Sequence, residues 1–222
     1  DVIESRGLGD VYKRQIQATL QTDSSDIEFV RERPDVMILI DTLTLRVEVD
    51  VRPVFIYGRY IKNSREIPQT RWPCRSCRGR KGGCEACESS GLQYLDSVQD
   101  LIGRPFVAGM GALDTAFHGM GREDIDVRCL GGGRPFVLEV KSPRSRSPEL
   151  SDYESIISST CGGRVEVNSL RFSDRKEVAR IKQTRSEKTY TIRFSTKETI
   201  DEEKATSLIP VSYTHLRAHE TR

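Results

Sequence analysis

The sequence contains no long apolar run. No stretch of its 222 residues approaches the roughly 20 consecutive apolar residues that a membrane-spanning helix needs. The N-terminal residues also lack the apolar segment of a signal peptide. These absences argue against a protein with membrane-spanning helices and against a secreted one. We therefore expect a cytoplasmic protein, and nothing in the sequence indicates an obligate protein partner.

A large excess of charge of one sign is missing too. The chain has 35 Lys and Arg residues against 33 Asp and Glu, a net charge of +2. Since nucleic-acid-binding domains usually carry a clear basic excess, total charge does not predict a nucleic-acid partner, and the case for one must be local. Hydrophobic residues make up 36% and charged residues 31%, which is typical of a rather polar globular protein with one large or two small domains.

Four of the six cysteines are grouped in two Cys-x-x-Cys pairs joined by a basic, glycine-rich loop of six residues. They are Cys74, Cys77, Cys84 and Cys87. Without a secretory signal, this spacing favours a metal site over disulfides. Four thiolates complete the tetrahedral coordination of a structural Zn²⁺ ion and leave no open position for catalysis. Free thiols and an iron–sulfur centre are the alternatives.

Basic side chains dominate residues 58–81, where eight Lys and Arg residues accompany a single acidic residue, Glu66. Cations neutralise phosphates, and interleaved aromatic rings can stack on unpaired bases. The candidate RNA-binding residues are Arg59, Lys62, Arg71, Trp72, Arg78 and Arg80. The alternative is a solvated loop whose aromatic rings pack inward.

Residues 121–128, Gly-Arg-Glu-Asp-Ile-Asp-Val-Arg, alternate in polarity as a strand does. One face would carry two carboxylates between two guanidiniums: Arg122, Asp124, Asp126 and Arg128. The other would carry Glu123, Ile125 and Val127 toward a core. A Gly-Gly-Gly turn at 131–133 would then lead into a second strand at 134–141. On pattern alone, an edge hairpin with a solvated charged face is the favoured interpretation.

From the predicted hairpin at 121–141 onward, periodicity predicts an α+β fold in the order ββαβαβα. We expect a hairpin over 36–52 with one buried face, a short helix from Ser97 to Gly103, and irregular structure over 104–120. Further helices are predicted at 152–160, from Asp174 onward and at 199–208, and strands at 165–170 and 188–194.

Gly121-Arg122-x-Asp124 resembles the catalytic-aspartate motif of pseudouridine synthases. The longer strings at 117–128 and 130–141 resemble the type-ten tRNA pseudouridine synthases of archaea and eukaryotes. Segments 57–60 and 67–74 are similar to the archaeal branch of that family. The resemblance implies part of a catalytic domain, a mainly antiparallel sheet with helices, preceded by a β-rich RNA-binding module with a Cys₄ zinc site.

For the site, the resemblance implies that Asp124 is catalytic and that Arg122 holds phosphate or displaces the target nucleotide. Arg128 and Asp126 would orient the strand face, and Tyr190 would stack on the uracil, although its pattern alone indicates a core tyrosine. The reaction involves no redox step or group transfer, so no organic cofactor is expected. Whether Asp124 attacks C1′ or removes the 2′ proton stays open.

The implied substrate is tRNA, with uridines 54 and 55 of the TΨC arm as targets. A non-catalytic zinc-knuckle RNA-binding protein is the rival hypothesis, and a Cys₄ redox or iron–sulfur protein is the third. The family's catalytic domain also contains a downstream basic residue that pairs with the aspartate, so we expect this chain alone to be incomplete and inactive.

The domain boundaries follow from the same reasoning. Residues 1–15 and 210–222 resemble translated adapter sequence and are expected to be non-native. Residues 16–100 would be the end of a THUMP-like RNA-binding module with the zinc knuckle. Residues 101–209 would be the first part of the catalytic domain.

Overall fold

The structure is a computed structural model. It describes residues 14–16, 18–20, 22, 27–30, 32–41, 43–184, 189–191, 193, 195 and 201–207. The chain divides into two units, Asp1–Thr184 and Arg185–Arg222, and each is described by itself. Among the residues described, no helix is both long and apolar enough to cross a membrane.

The first unit is built on a four-stranded antiparallel sheet with the strand order β4-β5-β3-β6. A separate antiparallel hairpin, β1-β2, precedes it. The elements in chain order are β1 Val36–Asp41, β2 Arg46–Val51, β3 Val54–Lys62, α1 Val98–Met110, β4 Asp114–Gly119, β5 Cys129–Lys141, α2 Leu150–Thr160, β6 Val165–Ser173 and α3 Arg175–Gln183.

The core lies between this sheet and helices α1 and α2. Alternate residues of β3 and β5 are fully buried on this side, including Ile56, Tyr60 and Leu138. Phe106 of α1 stacks on Tyr153 of α2 with ring centroids 4.1 Å apart. Because the centre of the sheet is covered in this way, the ends of β3 and β5 are rigid supports for the loops that leave them.

The predictions of an α+β fold and an antiparallel sheet are confirmed. The predicted strand at 165–170 and the helices at 152–160 and after Asp174 are present. The Ser97 side chain accepts a hydrogen bond from the Asp100 amide, and Asp174 accepts one from Glu177, which is how such residues stabilise a helix start.

The prediction that the first helix ends at Gly103 is wrong. Helix α1 continues to Met110, with Pro105 inside it, and β4 follows in place of the predicted irregular segment. A Cβ at Gly103 would lie 2.4 Å from Thr115 Oγ1. This glycine therefore allows the helix to approach β4 closely, whereas the helix ends at Gly111 with a φ of 57°.

The prediction of a strand over 121–128 is also wrong. These residues form a loop, and β5 begins at Cys129 and runs through the three glycines without turning. Its hairpin partner is β4. A Cβ at Gly133 would lie 2.9 Å from the Tyr60 carbonyl oxygen, so here glycine permits close packing of β5 on β3.

The hairpin β1-β2 has the predicted strands, and the Asp41 side chain accepts hydrogen bonds from Leu43 and Thr44 in its turn. Its predicted buried face is wrong, since every described residue from 36 to 50 is exposed. Strand β3, which precedes the predicted domain boundary, pairs with β5 and β6, which follow it.

In the second unit, residues 202–207 are helical. Of the predicted strand at 188–194, residues 188, 192 and 194 lie outside the described residues, and those described, 189–191 and 193, are not in a strand. The predicted tail at 210–222 and residues 1–13 of the predicted leader lie outside the described residues.

Candidate functional site

The loop between β4 and β5 presents the four charged residues that the sequence singled out. Arg122, Asp124, Asp126 and Arg128 are all exposed. Glu123 is buried, and Ile125 and Val127 are half-buried. The inward and outward sides were therefore predicted correctly, although the backbone that creates them is a loop and not a strand.

Glu123 is the buried anchor of this loop. Its carboxylate accepts hydrogen bonds from Tyr60 Oη at 2.7 and 2.8 Å and from Gln69 Nε2 at 3.2 Å. The Arg134 guanidinium lies 3.1 Å from the same carboxylate. A buried carboxylate is stable only when paired and hydrogen-bonded, and these partners meet that condition. Burial and the adjacent Glu123 carboxylate raise the pKa of Tyr60 well above its ordinary value.

Lys62, at the end of β3, is fully buried beneath the loop. Its ammonium donates to the carbonyl oxygens of Ile67, Asp124 and Ile125 at 2.8, 3.3 and 3.0 Å. Burial lowers the pKa of Lys62, although the nearby Glu123 charge acts in the opposite direction. The RNA contact predicted for Lys62 does not fit this position, because its donors are directed into the protein.

Arg122 lies over an aromatic ring. Its guanidinium carbon is 5.3 Å from the centre of the Trp72 ring, within the range of a cation–π interaction. Trp72 packs edge-on against Tyr94 at 5.6 Å. The predicted RNA-binding tryptophan and the predicted phosphate-binding arginine are thus brought together.

Immediately after Trp72, the four cysteine sulfurs lie within 4.8 Å of one another. The pairs Cys74–Cys84 and Cys77–Cys87 are each separated by 3.9 Å, and Cys84–Cys87 by 3.7 Å. Four sulfurs at 2.3 Å from a tetrahedral zinc ion would be about 3.8 Å apart. The cluster therefore has the dimensions of a four-coordinate structural metal site.

Local backbone conformation makes this cluster possible. Each Cys-x-x-Cys pair is followed by two residues with positive φ, Arg78 and Gly79 in one case and Glu88 and Ser89 in the other. The Cys87 sulfur accepts hydrogen bonds from the amides of Cys84 and Gly91, both at 3.2 Å. The Cys84 amide contributes most to lowering the pKa of Cys87 to about 6, whereas burial raises the pKa of Cys84 to about 11. A bound cation would favour the thiolate form of all four.

Comparison with known proteins identifies the family. Residues 55–219 match the family described as "Pus10, C-terminal", a range that includes the loop, the cysteine cluster and part of the predicted non-native tail. The chain belongs to the Pus10 C-terminal family.

Several archaeal relatives are named tRNA pseudouridine synthase Pus10. The chain is 43% identical to that of Methanothrix thermoacetophila over 200 residues, covering 85% of this chain and 44% of the relative. It is 49% identical to that of Methanothermobacter marburgensis over 158 residues, covering 71% and 39%, respectively. It is 40% identical to that of Archaeoglobus fulgidus over 200 residues, covering 85% of this chain and 55% of the relative. The chain thus spans about half or less of the length of these relatives.

Two other predicted RNA-binding arginines make internal contacts in this member of the Pus10 C-terminal family. Arg59 donates to the carbonyl oxygens of Gly132 and Gly133 at 2.6 and 2.7 Å. Arg71 forms ion pairs with Asp100 and Asp114 at 2.7 and 2.8 Å. Arg78 and Arg80, by contrast, are exposed on the loop between the cysteine pairs.

Sequence reasoning missed the inward half of the site. Tyr60, Gln69 and Arg134 were not candidates, and Glu123 was assigned only to a core-facing side. One available signal was a glutamate on an otherwise apolar face, because a buried carboxylate requires partners. Tyr190 is 48% exposed in the second unit, and its role stays a prediction.

Proposed function

We propose that this chain is part of a tRNA pseudouridine synthase and that Asp124 is its catalytic carboxylate. The supporting observation is the exposed position of Asp124 on a loop that buried Lys62 holds at Ile125 and Arg134 holds at Glu123. Membership of the Pus10 C-terminal family and relatives named tRNA pseudouridine synthase Pus10 favour an isomerase acting on uridine in tRNA.

The reaction requires one carboxylate beside the ribose. It breaks the C1′–N1 bond of uridine, turns the uracil and joins C1′ to C5, so that C5 loses a proton and N1 gains one. Asp124 would either attack C1′ or remove the 2′ proton, and both routes need the nucleotide out of the base stack. An exposed carboxylate on a fixed loop is suited to a flipped nucleotide, because it does not have to reorganise.

The groups beside Asp124 would bind and orient the nucleotide. Arg122 is charged and exposed next to Asp124, and its contact with the Trp72 ring restricts its position. We assign it to the phosphate of the target nucleotide or to displacement of the base. Arg128 and Asp126 would contribute to the charge of the same surface, and Tyr190 would stack on the uracil.

The cysteine cluster would hold Zn²⁺ with a structural role. All four ligands would be thiolates, so the ion would stabilise the module between Trp72 and Tyr94 and leave no site for substrate. Arg78 and Arg80 project from this module and would contact the tRNA backbone. We place the preceding residues in a THUMP-like RNA-binding module.

We assign uridine 54 or 55 of the TΨC arm as the target nucleotide and the cytoplasm as the place where the protein acts. Pseudouridine mapping on an unmodified tRNA transcript tests the target assignment. The protein to use is this chain joined to the segments of the Methanothrix thermoacetophila relative outside the match, referred to below as the chimera, alongside the chain alone. Asp124→Asn is the test variant, and Asp152→Asn on α2, which is also exposed, is the matched control.

We expect modification in the T arm by the chimera and by Asp152→Asn, a loss of at least 1000-fold in Asp124→Asn, and no modification by the chain alone. Tight, salt-sensitive tRNA binding without modification would instead support a non-catalytic zinc-knuckle RNA-binding protein.

A further inference from the structure

The loop that carries Asp124 is held through its backbone by two side chains and one backbone amide from one short segment. Three successive carbonyl oxygens, at residues 124, 125 and 126, all accept hydrogen bonds from residues 62–66. Lys62 donates to the first two, the Glu66 amide donates to Ile125 at 2.9 Å, and Arg65 donates to Asp126 at 2.6 Å. Because these carbonyls are directed toward the β3 end, the Asp124 and Asp126 side chains remain at the surface.

The start of the loop is held in the same way. Arg134 Nη1 donates to the Met120 carbonyl at 2.9 Å, and Gln69 donates to that of Gly121 at 3.1 Å. Both residues also contact the buried Glu123 carboxylate. The loop is thus fixed at its start and over residues 123–126, and the backbone of Asp124 is part of the anchored region.

Burying the charged groups of a lysine and a glutamate costs desolvation free energy, which hydrogen bonds and ion pairs must offset. Apolar residues would fill these positions without such a cost, but they would offer no donor to the carbonyls. We propose that Lys62, Arg65 and Glu123 are positioning residues that fix the loop backbone and so determine where the Asp124 carboxylate meets the substrate. The catalytic part of this inference rests on the proposed function, whereas the holding of the loop does not.

Lys62→Met tests the inference, because methionine fills similar space and donates no hydrogen bond. The matched control is Lys141→Met on β5, since Lys141 is exposed and its ammonium lies near Asp114. Arg65→Met is a second, surface variant that removes one donor to the loop and keeps the buried charges. It decides the question if Lys62→Met does not fold.

The first readout is residue-resolved amide hydrogen exchange of the 222-residue chain. We expect exchange at Glu66 and Val127, whose amides donate to the Ile125 and Asp124 carbonyls, to rise at least tenfold in Lys62→Met. A smaller rise, about threefold, is expected in Arg65→Met. Exchange at Ile56 and Leu138 in the sheet should stay within twofold in both variants. Unchanged loop exchange, or an equal rise in loop and sheet, would overturn the inference.

The second readout is single-turnover pseudouridine formation by the chimera, measured beside its Kd for tRNA. We expect Lys62→Met to lower the rate at least tenfold with the Kd within twofold, and Lys141→Met to change neither. A loosened loop with an unchanged rate would overturn the positioning role. No modification by the parent chimera would overturn the proposed function, while the exchange result would still decide whether these residues hold the loop.

Discussion

Two adjacent acidic residues have opposite environments in this structure. Glu123 is 8% exposed and surrounded by Tyr60, Gln69 and Arg134, whereas Asp124 is exposed. The first is a structural anchor and the second is available for chemistry. A motif-based interpretation identifies Asp124 alone, but the position of Asp124 depends on Glu123.

Asp96 offers a residue-scale test of how charges stabilise the fold. It accepts hydrogen bonds from Arg104 at 2.8 Å and Arg164 at 2.9 Å. Partial burial raises the pKa of Asp96, but these two arginines outweigh burial and hold the pKa below the ordinary value of 3.8. Since the folded state favours the ionised form, the stabilisation is fully present above pH 3.8 and is lost as the pH falls through the lowered pKa.

We therefore expect Asp96→Asn to reduce the free energy of unfolding by about 1 kcal/mol at pH 7. The difference from the parent chain should shrink as the pH falls through the lowered pKa of Asp96. Urea denaturation at a series of pH values measures this, with Asp152→Asn as a control for a surface carboxylate. A difference that is independent of pH would contradict the assigned ion pairs.

At the scale of secondary-structure elements, the sequence predicted which helices and strands form better than it predicted where each of them begins and ends. Strand β6 and helices α2 and α3 follow from periodicity and capping residues. Gly103 and the glycines at 131–133 were misinterpreted, because a glycine that ends an element and one that allows close packing look alike in sequence. The contacts with Thr115 and Tyr60 distinguish the two cases. They join residues that are separated in sequence, so local sequence pattern does not reveal them.

Gly103→Ala tests this explanation of α1. Alanine favours a helix by up to about 1 kcal/mol, yet its Cβ would meet Thr115 Oγ1 at 2.4 Å. We expect a net loss of about 1–3 kcal/mol of stability from this crowding. In a Thr115→Ala background the same substitution should cost much less, which a double-mutant cycle measures. Additive effects in the two backgrounds would show that the helix does not need glycine there.

The cysteine module gives a second element-scale prediction, with Trp72 as the only tryptophan in the chain. We expect one zinc ion per purified chain by elemental analysis. A strong chelator should shift the Trp72 emission, because Trp72 packs against Tyr94 and Arg122 beside the cluster. Cys84→Ser should do the same, while Cys161→Ser, a buried cysteine outside the cluster, should not.

A coloured preparation containing iron would contradict the zinc assignment. Chelation that leaves the Trp72 emission unchanged would contradict the stabilising role of the metal.

At the scale of the whole molecule, family membership favours a functional interpretation of the charged loop over a purely structural one. The charge alternation at 121–128 and the net charge of +2 are compatible with an ordinary solvated surface. The resemblance to a known family identified the motif from sequence, and the matched family supports it. The network beneath the loop was not predictable, because it joins residues of β3, the segment after it and β5 that are far apart in sequence.

Asp124 is proposed to start an isomerisation that ends with a bond to C5 of uracil, and release of the C5 hydrogen tests this role. The most direct measurement uses tRNA containing uridine tritiated at C5, because formation of the new C1′–C5 bond releases that hydrogen to water. With the chimera, we predict tritium release equal to the pseudouridine formed, and none with Asp124→Asn. Tritium release that persists in Asp124→Asn would show that Asp124 is not the catalytic carboxylate.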